Sequence, residues 1–114
     1  ICKEGAEIIL AAECREGAGN QRFLEFMQGK HSFSEVMDGF SRIPFEIGPH
    51  KAYLLARQGL RYSISLRSSM DDEMVRTLLL KPLPSLQQVL NDFDISTGKR
   101  IALLPYGGLT VPDV

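Results

Sequence analysis

The sequence predicts a small three-layer, Rossmann-like α/β domain in which a parallel sheet is flanked by helices. Three observations lead there. The apolar run Ile8-Ile9-Leu10 is continuous rather than alternating, as in strands of a parallel sheet with both faces covered. Two further strand-like segments, Tyr62–Leu66 and Arg100–Leu104, follow later in the chain. Helical patterns separate all three, and strands that alternate with helices imply right-handed crossovers and parallel pairing.

The first strand, Ala6 to Ala12, runs into a turn with three charges and two glycines, Glu13-Cys14-Arg15-Glu16-Gly17-Ala18-Gly19. Asn20 then caps a helix carrying Phe23, Leu24 and Met27, which ends near Gly29. Ser32 and Glu35 form the capping box of a second helix with Phe33, Val36, Met37 and Phe40 on one stripe. Gly48-Pro49 starts a third helix through Ala52, Leu55 and Ala56 to Gly59, with proline where its missing N–H costs nothing. After the second strand, Ser69 followed by Asp71, Asp72 and Glu73 opens a fourth helix, its acids matched to the helix dipole. Pro82 and Pro84 precede a fifth helix, where Ser85 and Gln88 again match a capping box and Leu83, Leu86, Leu90 and Phe93 follow helical spacing. The last strand ends in Pro105-Tyr106-Gly107-Gly108.

At 114 residues the chain makes one domain, and a hydrophobic content of 44% suits a packed core. A net charge of -1 and a pI near 6.1 give no general pull toward nucleic acid or an anionic membrane. No apolar run approaches the roughly 20 residues that cross a bilayer, and the opening residues lack a signal peptide's apolar region. Cys2 and Cys14 are too few for a disulfide scaffold and lack zinc-site spacing, which favours a reduced, cytoplasmic setting. A chain that opens on Ile1 and enters a strand almost at once reads as the cut edge of a larger protein.

Two places carry candidate chemistry. In open α/β sheets ligands settle at the carboxyl ends of strands, which singles out the turn with Glu13, Arg15, Gly17 and Gly19. Its glycines permit positive φ and close approach of a ligand to the backbone. It is not a dinucleotide fingerprint, because Arg22 stands where the third glycine belongs, and no phosphate-loop lysine follows. A plain strand-to-helix turn accounts for it as well. The second place is His50-Lys51, two potential cations in the first turn of a helix. That placement opposes the helix dipole and suits an anion such as a carboxylate, although two solvated side chains are the plainer account. Cys14 beside Arg15 reads as a structural thiol, His31 as solvent-exposed, and Met27, Met37 and Met74 as core.

Several segments, taken in order, resemble the C-terminal domain of the nickel-pincer lactate racemase family. They are Ile8-Ile9-Leu10-Ala11-Ala12-Glu13-Cys14-Arg15-Glu16-Gly17-Ala18-Gly19, Glu35-Val36-Met37, and Pro44-Phe45-Glu46-Ile47-Gly48-Pro49-His50-Lys51-Ala52-Tyr53-Leu54-Leu55-Ala56-Arg57. Asp72-Glu73-Met74-Val75 and Ile101-Ala102-Leu103-Leu104-Pro105-Tyr106-Gly107-Gly108 complete the set. The resemblance implies residues 1–114 as the C-terminal domain of a two-domain cytoplasmic enzyme that inverts 2-hydroxy acids by removing and returning hydride. It places the nickel-pincer nucleotide, its tethering lysine and the histidine ligands and bases on an N-terminal domain, leaving no cofactor, metal or catalytic residue here. The implied partners are that N-terminal domain and a small 2-hydroxy acid, with neither nucleic acid nor membrane.

One family position carries over. Lactate racemases have Asp-Gln-Trp where this chain has Gly48-Pro49-His50, and that tryptophan lines the substrate and cofactor site. His50 thus falls on a functional position with a different side chain, which favours a 2-hydroxy acid other than lactate, and Lys51 becomes the second anion contact. The alternative is a free-standing Rossmann-like module that binds a nucleotide or metabolite without catalysis.

Overall fold

β2 sets the frame of the molecule. Its residues Ser63–Arg67 alternate, with Ile64 and Leu66 turned into the core and Ser63 and Ser65 toward the other face. A computed structural model describes residues 2–93 and 95–110. Three parallel strands, β1 (Glu7–Ala11), β2 and β3 (Lys81–Pro82), lie in the order β1-β2-β3. Ile8 pairs with Ile64 and Leu10 with Leu66, so β1 and β2 run in register.

Five helices flank this sheet: α1 (Gln21–Met27), α2 (Phe33–Ser41), α3 (Pro49–Gly59), α4 (Asp72–Thr77) and α5 (Leu86–Asp92). Met27 of α1, Val36 of α2, Ala52 and Ala56 of α3 and Val75 of α4 gather with Ile64, Leu66, Leu78 and Leu80 into one core. That core lies on the Ile64–Leu66 face. Small residues let α3 approach closely, and at Gly59 a Cβ would stand 2.2 Å from the Phe33 ring.

The caps show why the helices start where they do. Asn20 Oδ1 accepts from the N–H groups of Arg22 and Phe23, and Ser32 Oγ accepts from Glu35 N–H. Glu35 answers by accepting from His31 N–H at 2.7 Å, one residue outside the usual capping box. α4 is capped by Asp71, which accepts from Met74 N–H, and not by Ser69.

Two expectations are corrected. Arg100–Leu104 is not a strand; the third strand is Lys81–Pro82, two residues whose pairing with Ser65 and Leu66 defines them. Nor is β1 buried on both faces, because it lies at an edge and leaves Ile9 and Leu10 36% and 46% exposed. Among the described residues, no helix is long and apolar enough to cross a membrane.

Candidate functional site

The carboxyl ends of β1 and β2 open into a hollow of about 370 Å³, lined by Ala11, Ala12, Glu13, Arg67, Ser68 and Ser69. Its floor is tied shut by backbone. Ala12 N–H donates to the Arg67 carbonyl at 3.0 Å, and the Glu13 carbonyl accepts from Ser69 N–H at 2.9 Å and Ser69 Oγ at 2.5 Å. This is where a parallel sheet presents ligands. The Glu13 carboxylate is held by Arg15 Nε at 2.8 Å, so the pair is locally neutral.

Beyond Glu13 the chain turns by way of left-handed residues. Cys14, Gly17 and Gly19 have φ of +55°, +71° and +83°, and Gly17 N–H closes on the Cys14 carbonyl at 3.0 Å. A Cβ at Gly17 or Gly19 would meet nothing within 4 Å, so the space above this backbone is open. Asn20 follows at once and caps α1.

The start of α3 is seated against that cap. Gly48, buried at φ +110°, lies so close that a Cβ would stand 2.9 Å from both Asn20 Oδ1 and Arg22 Cβ. The Arg22 guanidinium also pairs with Glu46, across the same junction. Two helix starts thus meet beside the turn leaving β1, and His50 and Lys51 stand in the first turn of the second.

His50 is half-buried, its ring 5.6 Å from that of Phe45. Gly48 N–H donates to His50 Nδ1 at 3.1 Å. Since Nδ1 accepts, a neutral imidazole carries its proton on Nε2 and offers that N–H as a donor. Lys51 is exposed, and its ammonium makes no hydrogen bond or ion pair among the described residues. The helix start itself has few donors left. Pro49 has no N–H, and those of His50 and Lys51 already donate to the carbonyls of Glu46 and Gly48. An anion here would be held by side chains, with the helix dipole adding only its field.

The sequence reading missed Ser69, Arg67 and Ser68, which form the far wall of the hollow. The rule that picked out the end of the first strand applies equally to the end of the second, and was the available signal. It also missed Arg22–Glu46, because nothing local connects residues 24 positions apart.

The family model described as the lactate racemase C-terminal domain matches residues 1–110. The chain is 29% identical over 112 residues to the lactate racemase of Thermoanaerobacterium thermosaccharolyticum, covering 93% of this chain and 26% of that protein. The solved structure of the lactate racemase apoprotein from the same organism superposes with a TM-score of 0.70 over 79% of this chain and 22% of that one. At 24% identity the latter speaks to the fold. The chain spans about a quarter of the length of these relatives.

Proposed function

Because the chain belongs to the lactate racemase C-terminal domain family, we propose that it forms the substrate-facing wall of a racemase or epimerase acting on 2-hydroxy acids. The carbon bearing the hydroxyl is inverted by removal and return of hydride. The observation that carries this reading is the family match across residues 1–110, nearly the whole chain.

Among the described residues, no group of three or more His, Cys, Asp or Glu is placed to hold a metal ion. We assign the nickel-pincer nucleotide of such an enzyme to the N-terminal domain, and this chain's own share of the work to binding and orientation. Lys51 supplies a cation, unpaired among the described residues, for the substrate carboxylate. His50 supplies an Nε2–H donor, fixed by the bond from Gly48, for a second carboxylate or hydroxyl oxygen. An imidazole in this place suits an acid with a second polar group better than lactate. The other wall of the cleft, the cofactor and the bases belong to an N-terminal domain of the same protein, working in the cytoplasm.

The test is a panel of 2-hydroxy acids offered to the full-length, nickel-cofactor-loaded protein. His50→Ala should lower kcat/KM about tenfold or more, the scale of losing a charge-assisted hydrogen bond worth ~1.5–3 kcal/mol. A loss under about twofold would remove His50 from the site. The 114-residue chain alone should invert none of these acids, and measurable turnover by it would overturn the division of labour.

The hollow between Glu13 and Ser69 favours a second reading, a Rossmann-like module that binds a nucleotide or metabolite without catalysis. Under that reading a nucleotide would saturate the protein and shift amide signals at residues 11–13 and 67–69, while no acid on the panel turned over.

A further inference from the structure

The outer edge of β1 is a row of peptide groups without partners in the sheet. Ala6 accepts from Ser63 N–H and Ala12 donates to the Arg67 carbonyl, so alternate residues 6, 8, 10 and 12 turn their peptide groups to β2. Glu7, Ile9 and Ala11 therefore turn theirs outward, where β1, first in the order β1-β2-β3, has no neighbour among the described residues. An unpaired edge bearing Ile9 and Leu10, 36% and 46% exposed, is a template for another strand.

The same chain carries a segment that fits it. Arg100–Leu104 has a strand's composition but no strand partner among the described residues, leaving Ile101, Leu103 and Leu104 51%, 84% and 40% exposed. Before it, α5 has no buried residue, and its Leu86 and Leu90 are exposed. The radius of gyration is 15.1 Å, where a compact chain of this length has about 13 Å. The family match nonetheless runs through residue 110, so this tail is part of the domain's sequence.

Handedness supplies the route. The crossovers from β1 to β2 and from β2 to β3 place α1–α4 on the Ile64–Leu66 face. A right-handed crossover returning the opposite way, from β3 past β1, must pass over the other face, that of Ile9, Ser63 and Ser65. We propose that in the full-length protein α5 crosses this face and Arg100–Leu104 pairs with the free edge of β1 as a fourth parallel strand, giving the order 3-2-1-4. The strand order then reverses between β1 and the new strand, and ligands of open α/β sheets bind at that reversal. Pro105-Tyr106-Gly107-Gly108 becomes the wall facing the turn Glu13–Gly19, and the candidate site is incomplete without it. This inference is independent of the substrate assigned above, because its readout is structural.

The test is residue-level amide exchange on the full-length protein, joined to cysteine pairing. The amides of Ile9 and Ala11 should exchange at least about 100-fold more slowly than unpaired peptides, as is expected also of Ile8 and Leu10, which face β2. With Cys2 and Cys14 replaced by Ser, Ile9→Cys is combined in turn with Cys at 101, 102, 103 and 104. A disulfide within one chain should form at 101 and 103 or at 102 and 104, but not in both sets, because alternate residues share a face. Fast exchange at Ile9 and Ala11 overturns the proposal. So does slow exchange with no disulfide at any position, which would give the edge to another part of the protein. Disulfides only between two chains would give it to a second copy and equally overturn the proposal.

Discussion

β1 and β2 are five residues long, parallel and in register, yet their fates differ. β1 reads Glu-Ile-Ile-Leu-Ala and β2 reads Ser-Ile-Ser-Leu-Arg, so the first is plainly the more apolar. It is β2 that is buried. β2 has a strand on each side and helices over Ile64 and Leu66, whereas β1 has one neighbour and leaves Leu10 46% exposed. Burial in this sheet follows position in the strand order, and hydrophobicity in excess of burial marks where something else belongs.

The sharpest way to break the comparison is to shorten the same side chain in both strands. Leu66→Ala should cost about 2–4 kcal/mol, since its cavity cannot collapse among α1, α3 and α4, while Leu10→Ala should cost about 1 kcal/mol or less. Urea midpoints at constant m-value measure both, and equal losses would end the distinction. Next in size is Gly48→Ala, expected to cost about 1–3 kcal/mol from positive φ and the clash with Asn20 and Arg22. Gly17→Ala, with the same sign of φ but open space, should cost about 1 kcal/mol. Similar thermal shifts for the two would show that the α1–α3 junction is not tight.

Asn20→Ala removes a cap accepting two N–H groups and should cost about 1 kcal/mol, with Asn20→Asp restoring most of it. The smallest effect is expected at Arg61, whose hydrogen bond to Glu4, and then its attraction to that charge, hold its pKa above the usual guanidinium range. A raised folded-state pKa contributes stability that is lost only as pH rises through it, far above neutrality. Arg61→Ala should therefore leave the urea midpoint and its dependence between pH 6 and 9 unchanged, because both partners are solvent-exposed.

What was legible in the sequence was what neighbouring residues decide. Asn20, Ser32 and Ser85 cap helices because a short side chain reaches an N–H two or three residues on, and Pro49 opens α3 because its ring presets the helical φ where no N–H is needed. β3 was not legible, since Lys81–Pro82 is a strand only by virtue of pairing with Ser65 and Leu66. Arg100–Leu104 fails in the opposite sense, with the composition of a strand but no described partner. The site divides likewise. His50 and Lys51 stand out by their place at a helix start, whereas Ser69 gains its role from the carbonyl of Glu13, 56 positions away.

Cys14 carries a consequence for protein engineering. Among the described residues it is one of two with a side chain held at positive φ, the other being Leu79, and it sits where β1 hands over to the turn. A Cβ in that conformation costs of order 1 kcal/mol, and asparagine tolerates it better than cysteine. Cys14→Asn should raise the melting temperature by a degree or more without touching the core. The bend that aims the chain toward its candidate ligand is thus also a point where stability can be gained.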